Sequence, residues 1–418
     1  MKSLKDKNLF LLTTAQSISL FGDRLNNMAL LGILGSYYSQ STFVFSGLAM
    51  FITLPSILFS PISGIISDKF NRKKIMIIIE ILRAIIVASI PFIFLNLKNI
   101  LAVYFMIFLL YSLTILFNNA KMASIPDMVK NVYTANAFLN ITGRLSIAIG
   151  ILFGGIVVDL SIWKNFNIEG WQAAFYIDAI TYILSATLIL FITVESRNSS
   201  KIEFSEIIEK ERSFFRGLFE DFKFGLNYVK NDIKLFFVFK CLILTMLVIS
   251  ISYNIYLPYF QQNLGFGTKG IGITGLFVGI GLLVGSLIFP TIVKKFGEIK
   301  IITYSHFIIS AMFIVSIFIK ELFVLLMLFF VGGIFLSLLL MSYDTFIQSF
   351  YENSIRGRLF SFKEFLWSTS FLLFVFLLGT LGEFLKLFFN FERAIKIIIL
   401  TSGLIIIFLN FSFYRQVR

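Results

Sequence analysis

The chain has 418 residues, of which 58% are hydrophobic and only 14% are charged. Soluble globular proteins average about 25% charged residues, so this composition excludes a string of soluble domains and predicts an all-α polytopic membrane protein. A net charge of +13 would suggest nucleic-acid binding in a soluble domain. Here the basic residues lie beside apolar segments, and membrane topology explains them. With one cysteine and one histidine, the chain offers no internal disulfide and no metal site built on these residues, and we expect no cofactor and no catalytic site.

Twelve apolar segments approach the length of about 20 residues that a membrane-spanning helix needs. In chain order they are 8–35, 43–66, 75–96, 99–119, 134–158, 171–193, 235–259, 270–293, 300–319, 321–345, 359–381 and 393–414. A long polar stretch separates the sixth segment from the seventh, so the sequence predicts two six-helix halves. The predicted halves are residues 1–194 and 232–418, and residues 195–231 form a cytoplasmic linker between them.

The linker carries apolar residues at helical spacing with basic residues between them. This pattern predicts an amphipathic helix on the membrane surface, and a flexible linker is the alternative. The apolar residues are Phe214, Leu218, Phe222 and Leu226.

The basic residues also predict the orientation of the chain in the membrane. Of the 36 Lys and Arg residues, 26 fall on the side shared by both termini and 7 on the opposite side. The positive-inside rule therefore predicts cytoplasmic termini in a multi-pass protein of the cell membrane.

The two halves resemble repeats of each other. The segment from Asp68 to Lys74 follows the second span, and a similar segment from Lys294 to Lys300 follows the eighth span, 226 positions later. Two parallel six-helix halves are typical of transporters in which one half rocks against the other.

The segment from Gly64 to Lys74 combines a glycine, an aspartate four residues later and a basic cluster. It resembles the signature between the second and third helices of the major facilitator superfamily, and the twelve spans extend the resemblance over the whole chain. Shorter motifs resemble its drug:proton antiporter branch, which includes macrolide and siderophore exporters. They are Gly22–Asp23, Ile125–Asp127, Phe175–Asp178, Arg356–Arg358 and Gly150–Gly155, where Ile151 replaces the proline of the antiporter motif.

Charged residues inside spans are rare unless they have a role, because burying a charge in the membrane costs free energy. Asp23 lies on a polar stripe of the first helix and is a candidate for proton coupling, with a static ion pair as the alternative. Asp178 is the second proton-coupling candidate, and its structural alternative is an ion pair with Arg24 or Arg144. Arg144 has no acid three or four residues away, so it is also a candidate for contact with an anionic group.

Glu80 and Arg83, three residues apart on the third helix, are predicted to pair within that helix. The lone histidine, His306, is interpreted as a surface or interfacial residue rather than a proton relay.

Polar and aromatic residues on the helices expected to line a central cavity are the candidates for substrate contact, because such pockets hold amphipathic solutes by stacking and a few hydrogen bonds. They are Asn26, Asn27, Asn118, Asn119, Arg144, Tyr253, Asn254, Tyr256, Tyr343, Asp344, Gln348 and Trp367. The superfamily resemblance also implies a cytoplasmic gate in which an aspartate after the second helix faces the start of the eleventh. Its predicted members are Gly64, Asp68, Arg72, Lys73, Arg356 and Arg358.

Together these features predict a secondary transporter that exports an amphipathic small molecule, such as a drug, macrolide or siderophore, in exchange for protons. The expected partners are the lipid bilayer, the solute and protons, and we expect a monomer. The chain lacks a Gly-rich Lys-Ser/Thr phosphate loop, so ATP is not expected to drive transport. The alternatives are a transporter of lysophospholipid or another metabolite with the same fold, and a non-transporting membrane receptor or scaffold.

Overall fold

The computed structural model describes residues 7–69, 71–128, 132–193, 226 and 228–417, and these residues form helices joined by short connections, with no strand among them. Eleven helices in this part of the chain are long and apolar enough to cross a membrane. The first helix has 31 residues and matches the first predicted span, but its polar stripe makes it less apolar than those eleven. The all-α membrane fold is thus confirmed, while the predicted linker helix lies almost entirely outside the described residues.

Each predicted span overlaps one long helix. The helices are α1 Lys7–Tyr37, α2 Thr42–Lys69, α3 Arg72–Leu97, α4 Ile100–Met128, α5 Val132–Asp159, α6 Gly170–Leu190, α7 Ile233–Ile251, α8 Gly267–Phe296, α9 Glu298–Ser316, α10 Leu322–Phe350, α11 Asn353–Leu385 and α12 Phe391–Val417. A short 3₁₀ helix, Ser161–Phe166, precedes α6. Two π-helical turns, Ser252–Tyr256 and Tyr259–Asn263, continue α7.

The helices group into two compact units. Unit 1 comprises Met1–Tyr37 and Phe51–Phe214, and unit 2 comprises Tyr38–Met50 and Phe215–Arg418. In unit 1, α1 packs against α5 and α6, and α3 packs against α4 and α6. In unit 2, α10 packs against α8 and α9, and α7 packs against α11 and α12. The first turns of α2 belong to unit 2, where the Thr42 hydroxyl donates to the Gly379 carbonyl of α11 at 3.0 Å.

Local capping sets where the helices of unit 1 begin and end. The Asn71 side chain accepts a hydrogen bond from the Lys74 backbone N–H at 3.1 Å, which starts α3. At its other end Lys98 adopts the left-handed conformation, with φ 47°, and its N–H donates to the Phe94 carbonyl. Helix α6 begins with a capping box in which Glu169 and Gln172 bond each other's backbone N–H groups. These ends fix the positions of the charged residues on α3 and α6 along their helix axes.

Candidate functional site

A buried cluster in unit 1 is centred on the guanidinium group of Arg83. Its Nη2 lies 2.7 Å from Asp23 Oδ1, and its Nη1 lies 3.3 Å from Glu80 Oε2. Nη2 also donates to the Tyr182 hydroxyl at 2.9 Å, and Nη1 to the Ser19 hydroxyl at 3.3 Å. One cation is therefore shared between two carboxylates.

Three helices build the cluster, and each contributes two residues that its helical period places on one face. Residues three or four apart lie on the same side of a helix. The pairs are Ser19 and Asp23 on α1, Glu80 and Arg83 on α3, and Tyr182 and Ser185 on α6. The Tyr182 hydroxyl donates to Asp23, and the Ser185 hydroxyl donates to Glu80 Oε1 at 2.8 Å. The predicted Glu80–Arg83 pair is confirmed, and it extends to Asp23 on a second helix.

The two carboxylates of the cluster differ in their access to solvent. The Glu80 side chain is completely buried, whereas that of Asp23 is 15% exposed. Arg83 is buried as well, and its guanidinium lies 4.1 Å from the centre of the Tyr182 ring, close enough for a cation–π contact. Asp23 is thus the more accessible of the two acids.

Asp178 lies apart from these ion pairs. It is completely buried, and its Oδ1 accepts a hydrogen bond from the Thr181 hydroxyl at 3.2 Å, while Oδ2 has no hydrogen-bond partner. No ion pair joins it to Arg24 or Arg144 in the described part of the chain, so the predicted pairing is wrong for this structure. Arg144 is exposed on α5. The prediction failed because depth along a helix was known from the sequence but the direction of each side chain around the helix axis was not.

Lys121 is a buried cation that sequence reasoning missed. It is only 7% exposed, and its Nζ donates to Asn118 Oδ1 at 2.9 Å and lies 5.8 Å from the centre of the Phe117 ring. The sequence assigned Lys121 to a loop because α4 was predicted to end at residue 119, whereas the helix continues to Met128. The last turns of α4 lie beyond its apolar segment, so hydropathy does not reveal that the helix continues there.

Unit 2 contains a second buried polar network, built on the lone histidine. His306 is completely buried, with Nδ1 2.9 Å from the Ile302 carbonyl and Nε2 3.0 Å from the Thr245 hydroxyl. The Thr245 hydroxyl also lies 2.8 Å from the Tyr343 hydroxyl. The interpretation of His306 as a surface or interfacial residue is therefore wrong, because α7 and α10 cover the face of α9 on which it lies.

The predicted substrate residues of unit 1 divide between buried and accessible positions. Asn26 is buried on α1, whereas Asn27 is half-buried and its Oδ1 accepts a hydrogen bond from the Tyr111 hydroxyl at 2.9 Å. Asn118 is exposed and accepts the hydrogen bond from Lys121. Asn119, the next residue of α4, is half-buried.

In unit 2 most of the predicted substrate residues make contacts within the bundle. Asn254 is buried, and its amide donates to the Val375 carbonyl at 2.7 Å. Tyr256 is buried in an aromatic cluster with Tyr259, Phe313 and Phe329. Tyr253 and Trp367 are half-buried, and Gln348 is exposed. Asp344 pairs with Lys363 at 2.6 Å. Tyr343 belongs to the His306 network described above.

An apolar cavity of about 90 Å³ lies inside unit 2, beside this aromatic cluster. Phe313, Phe329, Gly332 and Gly333 line it, and Ser252 is its polar residue. The Ser252 hydroxyl already donates to the Val248 carbonyl at 3.0 Å, so the cavity offers water few free partners. The lining therefore suits an apolar group.

The predicted gate residues fall in two regions. Gly64 and Asp68 lie on α2, where the side chains of residues 60–69 are outside the described part. Arg72 donates to the Ala123 carbonyl at 2.6 Å and Lys73 to the Leu190 carbonyl at 2.8 Å. Both contacts are within unit 1, and the gate role stays a prediction.

On the other side of the predicted gate, Arg356 donates to the carbonyls of Gln348 and Tyr351 at 2.7 and 2.8 Å, which caps the end of α10. Arg358 is exposed. Tyr351 lies between the end of α10 and the start of α11, and its hydroxyl donates to Asp232 Oδ2 at 2.7 Å. Burial raises the pKa of this hydroxyl.

Among the described residues, no group of three His, Cys, Asp or Glu side chains is placed to hold a metal ion.

The family model of the Major Facilitator Superfamily matches residues 12–375. The chain belongs to this superfamily. It is therefore a multi-pass membrane transporter and not an enzyme.

Relatives and solved structures agree with the superfamily. A proposed bacilysin exporter of Bacillus subtilis strain 168, BacE, is 26% identical over 380 residues, covering 87% of this chain and 86% of BacE. The uncharacterised transporter YfiS of the same strain is 29% identical over 188 residues, which cover 44% of this chain and 42% of YfiS.

Solved structures show the same fold at low identity. The nucleoside transporter NupG superimposes with a TM-score of 0.73 at 12% identity, covering 98% of this chain and 99% of NupG. A bacterial homologue of the iron transporter ferroportin, solved in an inward-facing state, gives a TM-score of 0.71 at 14% identity, covering 99% of this chain and 98% of the homologue.

Proposed function

We propose that the chain is a proton-coupled exporter of an amphipathic small molecule, working by alternating access in the cell membrane with both termini in the cytoplasm. The observation that carries this proposal is the shared guanidinium of Arg83, which lies 2.7 Å from Asp23 and 3.3 Å from Glu80. The superfamily supplies the transport fold, and this cluster supplies a means of coupling.

Two carboxylates that share one cation form a site that can take up a proton. Like charges close together disfavour double ionisation, so one of the two acids can become neutral while the other keeps Arg83 paired. Asp23 is the partly exposed acid, with 15% of its side chain accessible, and it is the first candidate for the proton. Asp178, completely buried with a free Oδ2, is the second.

The apolar part of the proposed solute is supported by unit 2, which carries an apolar cavity of about 90 Å³ next to aromatic rings. Export as the direction of transport is supported by the relative proposed to export bacilysin, which covers most of the chain.

The test is proton-driven accumulation by purified protein in proteoliposomes, measured with a fluorescent amphipath such as dansyl-phenylalanine and an imposed pH gradient. Asp23→Asn keeps a hydrogen-bonding group beside Arg83 but cannot bind and release a proton. We expect it to abolish uphill transport and to leave solute exchange at equal pH largely intact. The control is Glu392→Gln, which neutralises a partly exposed acid paired with Lys396 in unit 2, and it should keep uphill transport.

Full proton-driven accumulation by Asp23→Asn would remove Asp23 from the coupling role. If wild-type protein moves the dye but ignores the pH gradient, the alternative of an uncoupled metabolite or lysophospholipid transporter is favoured. If no solute moves at all and neutralising the charges of unit 1 together changes nothing, a receptor or scaffold is favoured.

A further inference from the structure

Arg24 is a cation on α1 that has no acidic partner among the described residues. No carboxylate lies within ion-pair distance of it in the described part of the chain, and its Nε is buried without a hydrogen-bond partner. Asp23, the next residue in sequence, is committed to Arg83. A charged group at membrane depth is costly unless a partner, a cavity or a ligand compensates it.

The side chain of Arg24 is held in place by its aliphatic stem. A Cβ added at Gly150 of α5 would lie 2.8 Å from the Arg24 Cβ and 3.2 Å from its Cγ, so the absence of a side chain at Gly150 makes room for this stem. The stem is therefore packed between α1 and α5, while the residue as a whole remains half-buried rather than enclosed. Its position is fixed by packing, although its charge is unpaired.

Asn27 lies one turn further along the same face of α1 and presents a second donor. Its Oδ1 is occupied by the hydroxyl of Tyr111, which donates at 2.9 Å. The amide NH₂ of Asn27 then remains to donate hydrogen bonds. The guanidinium of Arg24 has five N–H donors and no acceptor. Arg24 and Asn27 thus place N–H donors one turn apart on the same side of α1.

We propose that Arg24 and Asn27 bind a carboxylate of the transported solute. The planar fork of a guanidinium matches the two oxygens of a carboxylate, and the Asn27 amide adds a third donor one turn away. The inference rests on the proposed transport function and narrows it to solutes that carry an anionic group. The sequence placed such a contact at Arg144, but Arg144 is exposed on α5 and lacks the orienting neighbours that Arg24 has.

The experiment measures the binding of matched acids and esters to the purified full-length chain by thermal shift and fluorescence titration. The probes are dansyl-phenylalanine and dansyl-leucine, each with its methyl ester, which differ only in the carboxylate. We expect the wild-type protein to bind the acids more tightly than the esters. Arg24→Gln should weaken binding of the acids by roughly 10- to 100-fold and leave the esters unchanged, because a hydrogen-bonded charge pair is lost.

Two further variants test the geometry. Arg144→Gln, the same change at the exposed arginine of α5, should leave the acid preference intact. Arg24→Lys keeps the charge but not the fork, and it should retain only part of the preference. Equal binding of acids and esters by wild-type protein, or an equal loss in Arg144→Gln, would overturn the proposal.

Thermal stability without ligand separates binding from a structural role. Arg24→Gln keeps the stem that packs on Gly150 and removes an unpaired charge, so its melting temperature should equal or exceed that of wild type. A large drop would mean that Arg24 is a structural ion-pair residue, and the inference would fail. Proton-driven transport of the ester probes by Arg24→Gln would show that the proposed function stands even if the carboxylate site does not.

Discussion

Each half of the chain contains a buried polar network. Some residues of the two networks occupy equivalent positions in the two repeats. The offset of 226 residues that relates the segments after the second and eighth spans also relates Ser19 to Thr245 and Glu80 to His306. In unit 1 these positions belong to an ionic cluster around Arg83. In unit 2 they belong to a network of hydroxyl and imidazole groups in which Thr245 contacts His306 at 3.0 Å.

The difference follows from one position. Arg83 of α3 corresponds to Ile309 of α9 by the same offset, so unit 2 has no guanidinium at the centre of its network. Without that cation, a carboxylate at the His306 position would be a buried charge lacking a partner, which is strongly unfavourable. A neutral imidazole instead satisfies both ring nitrogens, with the Ile302 carbonyl on one side and Thr245 on the other. The repeat thus retains a polar site in both units, and unit 1 fills it with charged groups whereas unit 2 fills it with hydroxyl and imidazole groups.

The largest expected effect is the removal of the central cation in unit 1. Arg83→Gln leaves the buried Glu80 and the partly exposed Asp23 without their partner and should lower the free energy of unfolding by about 3–5 kcal/mol. Thermal unfolding of the detergent-purified variant measures this loss. Arg24→Gln makes the same change at an arginine without a carboxylate partner and serves as the control. If Glu80→Gln in the Arg83→Gln background restores no stability, the stranded-charge explanation is wrong.

A smaller effect is expected in the neutral network of unit 2. Thr245→Val keeps the shape of the side chain but takes a hydrogen-bond partner from both His306 and Tyr343, which should cost about 1–3 kcal/mol. Thr245→Ser retains the hydroxyl and should be close to wild type. The pH profile of transport, measured in proteoliposomes, should be the same for wild type and Thr245→Val. A clear shift of that profile in Thr245→Val would show that unit 2 also carries protons and would end the contrast between the units.

The smallest effect is expected at the ion pair of unit 2. Asp344 and Lys363 lie 2.6 Å apart, but the Asp344 side chain is 47% exposed. Water screens such a pair, so Asp344→Asn should change the free energy of unfolding by less than about 1 kcal/mol. Thermal unfolding at low and high salt measures it, and the small loss should shrink further at high salt. A loss approaching that of Arg83→Gln would mean that Asp344 carries a second buried charge site.

The sequence by itself determined the membrane class, the twelve spans, the superfamily and the presence of acids and arginines inside the first six spans. Those features depend on composition, on runs of about 20 apolar residues and on a local motif, and each can be measured along the chain. The pair of Glu80 and Arg83 was also predictable, because residues three apart on one helix are neighbours whatever surrounds the helix.

Only the tertiary structure decided which helices supply the partners of those charges. Arg83 reaches Asp23 and Tyr182 across 60 and 99 positions of sequence, and Asp178, at a similar depth, stays outside the ion pairs. His306 is buried for the same kind of reason, since α7 and α10 cover the side of α9 on which it lies. Hydropathy fixes the depth of a residue in a span, but the rotation of each helix about its axis is set by packing against its neighbours. That rotation determines which side chains meet.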